Sequence, residues 1–215
     1  MRKILTTLTL LALLTVGLAQ TYTFAGLEYG ANPQMVDQTL TERGYVFKAE
    51  LVYDDETAPM YEGSMFDYPI YIAAVFDDYN RLEGVSVSFY INGADIQKRD
   101  ATLINLYEQL LGAVQNRYGE PFMGNYLGYE DGRVDDSNLH ESKLAANLMW
   151  AKVSAAMSGT PDALTLVVAP SREQDSELMR EPGVKATEND VLLMLGYIGD
   201  SSSGNFDTGT AVDDL

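Results

Sequence analysis

The 215-residue chain has no cysteine. Disulfide staples are therefore excluded, and so is a lipid anchored through a thiol. Histidine occurs once, at His140. A zinc or copper site needs several nitrogen or sulfur ligands, and the chain does not have them. A serine–histidine hydrolase could be built only around His140. Basic residues are scarce, 14 Lys and Arg against 32 Asp and Glu, and the formal net charge is −18. Such a chain is repelled by phosphate backbones and anionic lipid surfaces, which excludes nucleic acid as a partner. No phosphate-binding glycine loop occurs, because Gly26 to Gly30 has neither the spacing nor the lysine.

The one long apolar stretch is at the start. Arg2 and Lys3 precede an uncharged run from Ile4 to Val16, and Gly17-Leu18-Ala19 follows with small residues at the cleavage positions. This is the pattern of a secretory signal peptide over residues 1–19, too short to span a bilayer comfortably. The expectation is an exported protein, periplasmic, cell-surface or secreted. After cleavage it carries no integral membrane segment. Hydrophobic residues make up 46% of the chain, enough for a core without covalent staples.

Along the rest of the chain, Asn32-Pro33 is a helix start, with Asn as cap and Pro at the first helical position. Met35, Val36, Thr39 and Leu40 recur at helical spacing up to Gly44, so the spacing predicts a helix over 33–43. Strict alternation predicts a strand over 45–53, and further strands follow at 60–66, 70–76 and 85–92. Their short connections require antiparallel pairing. Leu103, Tyr107, Leu110, Val114 and Tyr118 form the stripe of a second helix, expected over 100–118 with Asp100 as cap and Gly119 as stop. Residues 122–129, 147–156, 164–169 and 191–198 read as strands. In the second of these, alanine content favours helix, while its place before a Gly-Thr-Pro turn favours the first arm of a hairpin. Ser171 to Asp190 reads as charged loop. Residues 199–215 hold no Lys or Arg and read as a flexible acidic tail. The predicted fold is α+β, mainly an antiparallel sheet with two helices packed on one face, in a single domain over 20–198. Two similar halves, 24–92 and 100–198, each hold one helix and about three strands.

Two short motifs resemble other proteins. Phe24-Ala25-Gly26-Leu27-Glu28-Tyr29-Gly30 precedes a short helix ending Arg43-Gly44-Tyr45. A later helix ends Arg117-Tyr118-Gly119-Glu120-Pro121 and is followed by a segment with Trp150. This layout, over residues 24–169, resembles uncharacterised bacterial exported proteins. It is similar to the helix-plus-sheet modules of outer-membrane assembly accessory lipoproteins and β-lactamase-inhibitory proteins. The lipid-bearing cysteine of the former and the disulfides of the latter are missing. The resemblance implies a non-catalytic envelope module that binds a protein, and it carries over no functional residue.

Candidate site residues follow from composition and alternation. Tyrosine occurs 14 times. Tyr90 falls on the polar face of its strand, Tyr71 falls opposite Ile70 and Ile72, and Tyr53 ends the first strand. Exposed tyrosines are rigid amphipathic contacts, so Tyr53, Tyr71 and Tyr90 form the expected binding surface for an envelope or extracellular protein. Calcium is the metal the composition allows, since it needs only oxygen ligands. The best cluster is residues 130–138, with Asp131, Asp135 and Asp136, though it does not follow the EF-hand pattern. Asp54-Asp55-Glu56 and Asp77-Asp78 are weaker clusters. A calcium-stabilised cell-surface component and a carboxylate-based polysaccharide hydrolase therefore stay open beside the binding module.

Overall fold

The computed structural model describes residues 23–53, 56–129, 144–151, 163–171 and 177–199. The expected signal peptide, the acidic loop with Asp131, Asp135, Asp136 and His140, Asp54 and Asp55, and the tail beyond Gly199 lie outside these residues.

Helix α1, Pro33–Glu42, starts where the sequence places it. The Met35 amide donates to Asn32 Oδ1 at 2.9 Å, and Gly44 leaves the helix at a φ of 87°. Strands β1 (Val46–Tyr53), β2 (Glu56–Met65), β3 (Tyr68–Phe76) and β4 (Leu82–Ile91) follow as an antiparallel meander. Helix α2 (Ile96–Tyr118) opens a second unit, followed by β5 (Met123–Tyr129), β6 (Leu144–Ala151), β7 (Ala163–Pro170) and β8 (Val191–Ile198). One eight-stranded sheet results, ordered β1-β2-β3-β4-β8-β7-β6-β5. The fold is α+β and dominated by its antiparallel sheet. Each unit has four strands rather than about three. The two fourth strands meet at the centre, so the order runs from first to fourth strand inward from either edge.

The β4–β8 seam runs without a bulge from Gly84 opposite Ile198 to Ile91 opposite Val191. At one end the Gly199 amide donates to the Glu83 carbonyl at 2.9 Å. Nearby, Phe24 from the first motif lies against Tyr197 of β8 and Tyr45, with ring centroids 5.8 and 5.9 Å apart.

Period-two alternation divides the strand side chains between two buried clusters. In the larger, Ile70, Ile72, Val85, Val87, Phe89, Leu164, Leu166, Leu193 and Leu195 join Val36 and Leu40 of α1 and Leu103, Leu106, Leu110 and Val114 of α2. The smaller lies on the opposite face of the sheet and holds Met60, Tyr71, Met179 and Leu192.

Two local differences from the sequence pattern have physical causes. Helix α2 begins a turn early, capped by Asp95, whose Oδ1 accepts the Lys98 amide at 3.0 Å. Asp100 lies inside the helix and pairs with Arg99 at 2.6 Å. Arg99 is only 6% exposed and donates to the Asn189 carbonyl at 3.0 Å, so a buried residue of the first turn is charged and breaks the apolar stripe. In β1 a bulge between Phe47 and Ala49 exchanges faces. Tyr45 borders the larger cluster, whereas Ala49 and Leu51 border the smaller one, so the strict alternation read from sequence does not hold. The alanine-rich segment is strand over Leu144–Ala151, because ladders with β5 and β7 on both sides outweigh its helix propensity.

Leu110 is fully buried. Replacing it with Asp places an unpaired charge in the larger core and should cost about 4 kcal/mol or more. Ile104→Asp, on the exposed side of the same helix, should leave the melting temperature nearly unchanged. Equal melting curves for the two variants would contradict this placement.

Candidate functional site: the sheet face opposite the larger core

The side chains of this face come from the alternate residues of each strand. On β3 they are Tyr71, Ala73 and Val75, and on β4 Ser86, Ser88 and Tyr90. On β8 they are Leu192 and Met194, directly across from Tyr90 and Ser88. Part of the face is covered. The chain after β7 folds back over it through a single helical turn at 177–179, which brings Met179 down to 6% exposure against Tyr71.

This cover corrects the expectation of exposed tyrosines. Tyr71 is 5% exposed, and its hydroxyl donates to the Met179 carbonyl. Burial pushes its pKa up, against the opposing charge of Lys48, whose Nζ lies 5.0 Å from the ring centroid and 2.6 Å from Glu62 Oε2. Tyr90 is partly buried and donates its hydroxyl to Asp190 Oδ2. Tyr53 closes β1 opposite Glu56, with its side chain outside the described set. Tyr71 and Tyr90 therefore share a face, but both hydroxyls are engaged internally.

Asp190 organises the end of this face and is 1% exposed. Its Oδ1 accepts the Gly93 amide at 2.7 Å, the Thr187 hydroxyl at 2.7 Å and Asn92 Nδ2 at 3.2 Å. Its Oδ2 accepts the Thr187 amide at 3.0 Å and the Tyr90 hydroxyl. Burial alone would raise its pKa, but the bonds from Tyr90, the Gly93 amide and Thr187 outweigh burial and hold it below the ordinary carboxylate value. Gly93 is required here, because a Cβ would fall 2.3 Å from the Asn189 carbonyl. Asp190 was hidden in a stretch read as charged loop. The signal that could have found it is Thr187-Glu188-Asn189-Asp190 immediately before an apolar strand, a run of residues that bond their own backbone in turns.

Between the covering turn and the sheet lies a groove of about 550 Å³. Its lining runs from Leu51 and Ala58 through Ala73, Ser86 and Ser88 to Leu192, Met194, Pro170 and Met179, and none of the described residues in it is charged. Ser88 is 5% exposed, and its hydroxyl has no hydrogen-bond partner among the described residues. Beyond the groove, the face continues over β5–β7 through Met123, Asn125, Asn147, Met149, Thr165 and Val167. Strands β5 to β8 contain no charged residue at all.

Among the described residues no group of three or more His, Asp or Glu side chains could hold a metal ion. The Asp77 carboxylate of one acidic pair accepts from the Tyr79 and Arg81 amides and pairs with Arg81 at 2.8 Å, so it organises its own turn. Asp131, Asp135 and Asp136 lie outside the described residues. No protein-family model, curated protein or solved structure matches the chain.

Asp190→Asn should destabilise the fold by about 3 kcal/mol at neutral pH, because an amide cannot accept all these donors. The folded pKa of Asp190 lies below that of an ordinary carboxylate, so its stabilisation is complete above the ordinary value and is lost as pH falls through the folded pKa. Urea unfolding from neutral pH into acid should show the two proteins converging at low pH. A neutral-pH difference below about 1 kcal/mol would contradict the assigned role.

Proposed function

We propose that this protein is an exported, non-catalytic binding module of the bacterial cell envelope. Both helices pack on one side of the sheet, and a protein partner is bound on the other. The observation that carries the reading is the absence of charge from β5–β8 in a chain of net charge −18. An antiparallel sheet with one solvated face ordinarily places polar and charged side chains there. Edge strands that face solvent are ordinarily protected by charge. Here β5 is an edge strand, and Met123 and Tyr126 are 57% and 51% exposed, with Phe122 just before it at 65%. Apolar and amide side chains at Met123, Asn125, Asn147, Met149 and Val167 suit a neutral protein surface, since docking there strips no ion of its water. The N-terminal pattern around Arg2, Lys3 and Ala19 supports export, and the layout shared with envelope modules supports the binding class. Tyr71 and Tyr90 contribute by shaping the face, with their hydroxyls turned to Met179 and Asp190.

The test is capture from the cell envelope of the source organism with the tagged protein and gentle cross-linking. One saturable partner should be retained in high salt, because the contact contains no ion pairs. The double variant Met123→Glu/Asn147→Glu should lose it while melting like the wild type. Capture that disappears with added salt, or that survives this double variant, would contradict the proposal.

A further inference from the structure

We infer that the groove under Met179 is a binding site for an aliphatic chain ending in an uncharged polar group, such as a fatty alcohol or a neutral acyl glyceride. The volume, about 550 Å³, falls in the range of small-molecule sites, roughly 300–1,000 Å³. The lining crosses six strands, from Leu51 on β1 to Ala169 on β7, so the groove is elongated across the sheet. At about 4.8 Å per strand spacing it extends for about 24 Å.

Three features select the occupant. Leu51, Ala73, Val75, Leu192, Met194 and Met179 give an apolar surface, and the two methionines can adapt to a flexible guest. The backbone offers nothing, because β2, β3, β4, β8 and β7 are paired on both sides and their amides and carbonyls belong to the ladders. A peptide laid across the groove would bury its own amides without partners, whereas a hydrocarbon chain has none to satisfy. The hydroxyl of Ser88 supplies one polar point in the floor. It lies on a residue more than nine-tenths buried, without a partner among the described residues, with Ser86 beside it in the lining. It can bond one hydroxyl or carbonyl of the guest. A carboxylate head is disfavoured, because none of the described lining residues is a cation and the chain is strongly acidic.

The groove meets the protein-contact surface proposed on β5–β7 at β7, but its lining shares none of the residues named for that surface, and neither reading requires the other. The experiment is methionine-methyl NMR of the full chain titrated with decan-1-ol, and in parallel with decanoate. Decanol should shift the Met179 and Met194 methyls saturably and leave Met35, on α1, unmoved. Decanoate should bind at least tenfold more weakly. Ser88→Ala should weaken decanol about tenfold, the value of one neutral hydrogen bond. Ala73→Leu, which fills the groove, should abolish the shifts while leaving partner capture intact. No shift at saturating decanol, shifts centred on Met35 or Met123, or equal binding of decanoate would each overturn the inference.

Discussion

The structure depends on one seam, the pairing of β4 with β8, and on the buried carboxylate that closes its end. Each helix-plus-four-strand unit presents its fourth strand to the other, and among the described residues no other strand pair joins the two units. Asp190, immediately before β8, accepts from Tyr90, Asn92 and Gly93 at the end of β4 and from Thr187 in its own turn. Arg99, in the first turn of α2, reaches the Asn189 carbonyl in the same turn. Four parts of the chain thus meet at one site: the end of β4, the start of α2, the turn before β8 and β8 itself. A buried carboxylate is costly unless its lone pairs are occupied, and here two oxygens receive five donors. The arrangement fixes the register of the seam, because a slip by one residue would move Tyr90 to the other face.

That constraint shapes the opposite face as well. The turn tied down by Asp190 leads back to the segment that carries Met179, and the Tyr71 hydroxyl holds that segment by its carbonyl. The cover forms one wall of the groove through Met179, while Asn125 and Asn147 of the β5–β7 part of the face are exposed. Charge is distributed unevenly between the units. Lys48, Glu50 and Glu62 lie on β1 and β2, whereas β5 to β8 are neutral throughout. Two units of the same layout therefore present different chemistry to solvent, which is the asymmetry expected when one of them is used for contact.

Much of the fold was legible because it rests on local rules. Asn32-Pro33 and Gly44 bounded α1, alternation located β4, strand-like apolar runs located β7 and β8, and the apolar stripe from Leu103 to Tyr118 located most of α2. What was hidden depends on contacts distant in sequence. Arg99 precedes the helix start read from sequence, and its burial depends on the Asn189 carbonyl 90 residues away. The β1 bulge reversed the faces of Ala49 and Leu51 without any glycine to announce it. Of the site, alternation placed Tyr71 and Tyr90 on the correct face, but their burial is caused by a segment about a hundred residues away in sequence. The groove, with Ser88 in its lining, depends on that same cover and could not be read from strand pattern alone. The charge-free run of β5 to β8 was visible in the sequence and became meaningful once those strands proved to be neighbours.

The central claim is that the two units form one cooperative body through the Asp190-closed seam. Native-state hydrogen exchange of the backbone amides measures this most directly. The account predicts that Gly93 and the amides of β4 and β8 exchange only through global unfolding, with the same free energy as the centres of β3 and β7. Exchange at Gly93 and along β4 and β8 at a distinctly lower free energy than in β3 and β7 would mean that the seam opens on its own, and would contradict the claim.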